Sequence, residues 1–271
     1  MDNFLITHQT LIRLSVFIGI LLLLLSIELI IPYRKPSLNK TSRDLNNLAI
    51  LIINNVCIRI ILPSGIAGIS YFAIKHNIGL INYFHLSGIT IGVISILILD
   101  FAIYLQHVVF HYTPWLWKFH KVHHADLNFD VTTAVRFHPI EIIVSTIYKI
   151  VLILIFGFSP AIIILFEIIL NATAMFSHSN IKLPNRLDKL LRLIIITPNV
   201  HQIHHSDIIY ESNHNFGFNF IWWDYLCKTY LKTPKLGYEK LRFGISEFKS
   251  PQITQKLISM LIIPFKKISN N

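Results

Sequence analysis

Long apolar runs separated by short polar stretches dominate the chain. Residues 11–31 (LIRLSVFIGILLLLLSIELII) are apolar, with Glu28 near the end and able to reach the interface. As a helix they cross the roughly 30 Å hydrocarbon core of a bilayer. The run is too long for a signal-peptide core and lacks a small-residue cleavage pattern, so it is read as a retained span. A polar linker over 32–47 carries Arg34, Lys35, Lys40 and Arg43. A second span is predicted over 48–73, with Arg59 inside it and a kink at Pro63 and Gly65. The loop over 74–86 holds Lys75 as its one Lys or Arg, and a third span follows over 87–112. A polar, aromatic segment, 113–139, then leads to two shorter apolar runs, 140–156 and 161–175, broken by the turn sequence GFSP. These runs form a hairpin that either crosses the membrane or dips in and returns, their length being marginal for a span. Beyond residue 177 the chain is amphiphilic, which predicts short helices and loops at the membrane surface. There is no internal repeat.

Composition agrees with this pattern. Of 271 residues 53% are hydrophobic and 14% charged, with a mean hydropathy of +0.57; soluble domains carry about a quarter charged residues. The net charge of +10 does not point to nucleic acid, because no basic stripe is interleaved with base-stacking aromatics. The basic residues instead follow the positive-inside bias. It places the first linker in the cytosol and the Lys75 loop outside. The segment with Lys118, Lys121 and Arg136, and the stretch with Lys182, Arg186, Lys189 and Arg192, return to the cytosol. Five crossings with an outside N-terminus satisfy all of these. Arg59 is either a site residue or a charge that snorkels or pairs with a carbonyl near the kink. The two cysteines, Cys57 and Cys227, build neither a disulfide framework nor a thiolate metal site, so a metal must be held by nitrogen and oxygen.

The candidate chemistry is in the histidines. Eleven of fourteen lie between His107 and His214, most of them in HVVFH (His107, His111), HKVHH (His120, His123, His124) and HQIHH (His201, His204, His205). Residues at i, i+3 and i+4 share a helix face, so each cluster is expected to point its rings one way. A neutral imidazole offers one nitrogen to a metal. Eight such rings exceed what one ion can use, which suggests two ions. His8, His76 and His85 lie outside the pattern. Two other readings use the same rings: a histidine-rich membrane protein that binds or transports metal ions, and a zinc-dependent lipid hydrolase. Transport favours ligands at mid-membrane rather than at span ends. Hydrolysis seldom needs so many neutral ligands, and HExxH is absent.

HxxxH, HxxHH and a later HxxHH among membrane spans resemble the fatty acid hydroxylase superfamily, which includes the sterol desaturases. Supporting pieces are RFHPIE (136–141), FSHSN (176–180), TPNVHQIHH (197–205), NFG (215–217) and WDYLCKTY (223–230). The likeness spans residues 100–230, and its spacings favour this branch over the carotenoid one. It implies an all-α membrane protein of about four to five transmembrane or hairpin helices with a cytosolic, histidine-rich helical cap. Residues 1–99 would be N-terminal transmembrane helices, 100–230 the catalytic domain with a membrane hairpin at 140–175, and 231–271 a cytosolic tail.

The resemblance further implies two iron ions, cycling between Fe2+ and Fe3+, with dioxygen as co-substrate. Their ligands would be His107, His111, His120, His123, His124, His201, His204 and His205, with His178 of FSHSN at a further ligand position. His138 and His214 are each either a ligand or a support. Some members place another histidine four residues before that of FSHSN; here the position is Ala174, which would leave one iron less fully histidine-ligated. Bound imidazoles need an acceptor on the other nitrogen; Asp100, Glu141, Asp207 and Asp224 are candidates, although Asp100 is equally a buried acid paired with Arg or Lys. The pairs Trp115–Trp117 and Trp222–Trp223 are an interfacial belt or a substrate clamp. The implied reaction is hydroxylation or desaturation of a membrane lipid: a sterol, a fatty acyl chain or a sphingolipid-type molecule. No flavin, haem or iron–sulfur motif is present, so electrons would come from a separate reductase, ferredoxin or cytochrome.

Overall fold

The computed structural model describes residues 2–35 and 39–266, with side chains from residue 7 onward. Part of the 32–47 linker and the last five residues of the 231–271 tail lie outside the described residues. Within them all regular structure is helical; extended residues meet only in isolated bridges, such as Pro32 with Ile181 and Ile195 with Phe220.

The long helices are α1 (Asp2–Ile30), α2 (Lys40–Ile61), α3 (Gly65–Lys75), the short α4 (Leu80–Tyr83), and α5 (Ile89–Tyr112). They are followed by α6 (Pro114–His124), α7 (Pro139–Phe156) and α8 (Pro160–Ser177). Five stretches are long and apolar enough to cross a membrane: Thr7–Ile30, Lys40–Tyr83, Ile89–Tyr112, Pro139–Phe156 and Pro160–Ser177. After them come only short helices: α9 (Asn185–Leu191), α10 (Pro198–His204), α11 (Ile209–Ser212), α12 (Trp222–Leu226), α13 (Pro251–Thr254) and α14 (Leu257–Ile262).

Local chemistry explains the breaks. The predicted kink in the second span is real: α2 ends at Ile61, Pro63 lies in the gap, and α3 starts at Gly65 with a φ of 64°. The GFSP turn divides its labour residue by residue. Gly157 ends α7 in the left-handed region at φ 75°, Ser159 accepts the Ile162 N–H at 3.3 Å, and Pro160 opens α8. This turn packs on the α3–α4 connection, where a Cβ on Gly79 would fall 2.2 Å from Gly157 N. Ser70 Oγ also donates to the Phe158 carbonyl. The hairpin therefore reaches the level where α3 ends, and each of its 18-residue helices is about 27 Å long, close to a hydrocarbon core.

Two sequence expectations change. The helix that holds the second span begins at Lys40 rather than near residue 48. Its charged first turns are stabilised by partners distant in sequence: Arg43 is buried and binds Asp126 at 2.7 Å and Asp130 at 2.5 Å, while Lys40 bridges Asp44 at 2.7 Å and Asp130 at 2.8 Å. Glu28 is buried rather than interfacial, because its Oε1 accepts the N–H groups of Val131 and Asn180, both at 2.8 Å. Arg59 is exposed on the outside of α2.

The apolar core lies between α3, α5, α7 and α8, where Leu99, Ile103, Ile153, Phe158, Ile163 and Phe166 are buried together. Leu21 and Leu24 of α1 pack on Ala174 and Met175 of α8. A separate cluster, Val122, Ala125, Met260 and Ile263, attaches α6 to the last helices. Outward-facing Leu22, Ile52, Val93 and Leu165 remain exposed, as lipid-facing positions must. The cap stands over one end of the spans, where α5, α6, α8 and α10 converge.

Candidate metal centre

The histidines form two groups. His107, His111, His120, His124 and His204 offer nitrogens within 4.8 Å of one another, and so do His123, His178, His201 and His205. Helical geometry explains the division. Four residues on, a helix has turned about 40° past a full circle; three residues on, it falls about 60° short. Each i, i+4 pair (107/111, 120/124 and 201/205) stays in one group, while the i+3 rings, His123 and His204, turn to the other. The clusters therefore do not each point one way, as the shared-face expectation had them.

Several rings are fixed from behind. His107 Nδ1–H donates to the Phe216 carbonyl at 2.7 Å, His204 Nδ1–H to the His214 carbonyl at 2.8 Å, and His178 Nδ1–H to the Ala174 carbonyl at 2.7 Å. His120 Nδ1–H donates to Glu141 at 2.6 Å, and His111 Nδ1 lies 3.3 Å from Asn213 Oδ1. A carbonyl can only accept, so these bonds place the proton on Nδ1 and leave the Nε2 lone pair free.

The Nε2 atoms converge: His107 to His204 is 3.0 Å, His111 to His124 is 3.1 Å, and His178 lies 3.1 Å from His123, 3.1 Å from His201 and 3.2 Å from His205. Two nitrogens each about 2.1 Å from one ion, at octahedral to tetrahedral angles, stand about 3.0–3.4 Å apart. His120 Nε2 is buried without a hydrogen-bond partner. The donor set thus fits metal ions, one per group. Burial, then the neighbouring imidazoles, holds His123, His124, His201 and His205 well below the usual histidine pKa, and burial pushes His178 down to about 4. These five rings are neutral at neutral pH, the form a metal requires.

The remaining sequence candidates fall around the groups. His138 caps α7, accepting the Ile140 N–H at 3.1 Å, and stands outside both groups. The His214 ring turns to the Tyr210 carbonyl at 2.7 Å, and its own carbonyl orients His204. Glu141 is the acceptor that the pattern anticipated. Asp100 instead accepts from Trp223 Nε1 at 2.7 Å and from the Phe220 N–H at 3.2 Å, while Asp207 pairs with Lys249 and Arg242. Asp224 accepts the N–H groups of Phe216 at 2.8 Å and Gly217 at 2.9 Å, shaping the loop whose carbonyl holds His107. Of the tryptophans, Trp115 and Trp222 are exposed, whereas Trp117 lies against His111, with ring centres 5.0 Å apart. Asn213 and the stacked rings Phe137 on His123 and Phe129 on His178 were not anticipated; nothing in their spacing marks them.

On the membrane side, a cavity of about 290 Å³ reaches His107 and His120 between walls that include apolar Ile103, Phe110 and Phe218 and polar Gln106, Ser145 and Thr146.

Comparison with known proteins agrees with this geometry. A family model described as fatty acid hydroxylase matches residues 92–229, just over half of the chain. The chain is 29% identical over 147 residues to an ornithine lipid hydroxylase of Rhizobium tropici, covering 53% of this chain and 42% of that protein. It is 28% identical over 133 residues to an alkylglycerol monooxygenase of Caenorhabditis elegans (48% and 25% covered). The corresponding human alkylglycerol monooxygenase is 28% identical over 148 residues (54% and 31% covered). The match thus spans less than half the length of each relative. No solved structure matches.

Proposed function

Because the chain belongs to the fatty acid hydroxylase family, we propose that it is a membrane-bound oxygenase. In this reading it holds two iron ions and oxidises a lipid C–H bond to an alcohol or an alkene, using dioxygen and two external electrons. The observation that carries the reading is the pairing of two groups of imidazole nitrogen donors with a cavity among apolar spans. Bound iron would supply the redox chemistry that an unactivated alkyl C–H bond demands and no side chain can provide. His107, His111, His120, His124 and His204 would hold one ion, and His123, His178, His201 and His205 the other.

The protein's own contribution is placement and exclusion. Glu141 and the carbonyls of Phe216, His214 and Ala174 keep imidazole protons on Nδ1 and aim Nε2 inward. Phe129, Phe137 and Trp117 cover the rings and keep water from the centre. The apolar part of the cavity wall, with Ile103, Phe110 and Phe218, offers a surface for an alkyl chain from the bilayer, and the lipid substrates in the relatives' names support a lipid here. Electrons would come from a separate acidic carrier protein. Arg34, Lys35, Arg242 and Lys249 line a surface pocket of about 840 Å³ beside Phe129, and their charge favours such a partner.

Lipid extracts of cells with and without the gene, compared by mass spectrometry, are expected to differ by one oxygen atom or two hydrogens in a single lipid class. Protein purified anaerobically from iron-replete cells should carry about two irons per chain, one for each nitrogen group. A single stoichiometric zinc that alone restores activity would sink the proposal.

A further inference from the structure

The cavity that touches His107 and His120 also touches three charged residues within the spans: Arg13 of α1, Lys149 of α7 and Glu167 of α8. Arg13 Nη2 lies 2.9 Å from Glu167 Oε2, and Lys149 Nζ lies 3.3 Å from Glu167 Oε1. Two cations thus share one carboxylate, and among the described residues neither has another acid within ion-pair distance. The group carries an excess positive charge at membrane depth, where an uncompensated charge is costly and usually marks a site. Glu167 is the most enclosed member, its side chain 9% exposed against 36% for Arg13 and 17% for Lys149. The cations therefore keep donors that the carboxylate does not use.

The position along α7 gives the separation from the metal groups. Glu141 holds His120, and Lys149 lies eight residues further along the same helix, about 12 Å away. Between these levels the cavity wall is mixed, with apolar Ile103, Phe110, Ile142 and Phe218 beside polar Gln106, Ser145 and Thr146. It has the form of a channel with nitrogen donors at one end, surplus cations at the other and apolar side chains along part of its length.

We propose that Arg13 and Lys149 bind an anionic group of the substrate, a carboxylate or a phosphate, and so present to the histidine groups a carbon about 12 Å from that group. The inference rests on the oxygenase reading, and it narrows the substrate to amphiphiles whose charge enters the cavity. Glu167 holds the two cations in place while the cavity is empty and yields them to the ligand.

Binding can be measured without dioxygen or reductant, on the purified full-length chain in zwitterionic nanodiscs. The probes are hexadecanoate, hexadecyl phosphate and methyl hexadecanoate, read by native mass spectrometry. One of the two anions is expected to bind about tenfold or more tighter than the ester, and whichever does so identifies the headgroup chemistry. The Arg13→Met/Lys149→Met double variant should lose that preference. Glu167→Gln leaves both cations and removes their competitor, so it should tighten anion binding, whereas a purely structural ion cluster would be weakened by all three changes. Equal binding of acid, phosphate and ester by the unmodified chain would overturn the proposal, as would a preference that survives in the double variant. A chain that prefers the anion yet never oxidises it would instead refute the oxygenase reading alone.

Discussion

His204 shows how much of the centre depends on a single side chain. Its Nδ1 proton is held by the His214 carbonyl and its Nε2 faces His107 at 3.0 Å, so it cannot be replaced without opening the five-ring group. His204→Ala is expected to abolish lipid oxidation while leaving membrane insertion intact, because the apolar spans end at Ser177. His85→Asn, on the loop after α4 and suited to the left-handed backbone there (φ 52°), should leave turnover near that of the unmodified chain. Full product formation by His204→Ala, in membranes given reductant and dioxygen, would remove it from the ligand set. One step further out, Glu141→Ala strips the acceptor from His120 and should lower iron retention or activity about 10- to 100-fold, as read by metal analysis across a chelator series. Eight of the nine rings were legible from spacing, because a helix brings i and i+4 together; His178 stands alone in the sequence, and only the resemblance suggested it. Apart from Glu141, their acceptors were not legible. Phe216, His214 and Ala174 act through carbonyls, which every residue possesses, and only the folded loop decides which of them points at a ring.

At the scale of elements, the spans could be read from hydropathy, and the breaks at Pro63 and at GFSP from backbone chemistry. The start of α2 could not. Lys40, Arg43 and Asp44 look like linker residues until Asp126 and Asp130, more than eighty residues away, come to lie against them. The Arg13–Glu167–Lys149 cluster was hidden for the same reason, since its members belong to three different helices. The Arg43 node also fixes the cap to the spans. Burial alone would push the Asp126 carboxyl up, but the guanidiniums of Arg43 and Arg136 reverse this and hold it below the usual carboxylate range. Arg43→Met would leave that carboxylate, and Asp130, buried without their main partner. We expect a loss of about 3–5 kcal/mol in stability, seen as a lower Tm in detergent. A Tm unchanged from the parent would mean that α2 is held by its apolar face alone.

For the molecule as a whole, the Lys and Arg bias and the five apolar stretches together predict that the histidine cap faces the cytosol. In a background lacking Cys57 and Cys227, single cysteines at Asn128 in the cap and at His76 after α3 should react with an impermeant reagent from opposite sides. Labelling of both from outside the cell would remove the crossing between them and refute this topology. The exchange of i+3 rings has a consequence at this same scale. α6 gives His123 to the group otherwise built by α8 and the α10 region, and α10 gives His204 to the group built by α5 and α6. The two helices are cross-braced, each completing the other's group of nitrogen donors. A half-built centre, with one sphere formed and the other loose, would require α6 or α10 to be ordered on one side and disordered on the other. The two nitrogen groups would therefore form together: ordering α6 and α10 for one group would already place most of the donors of the other.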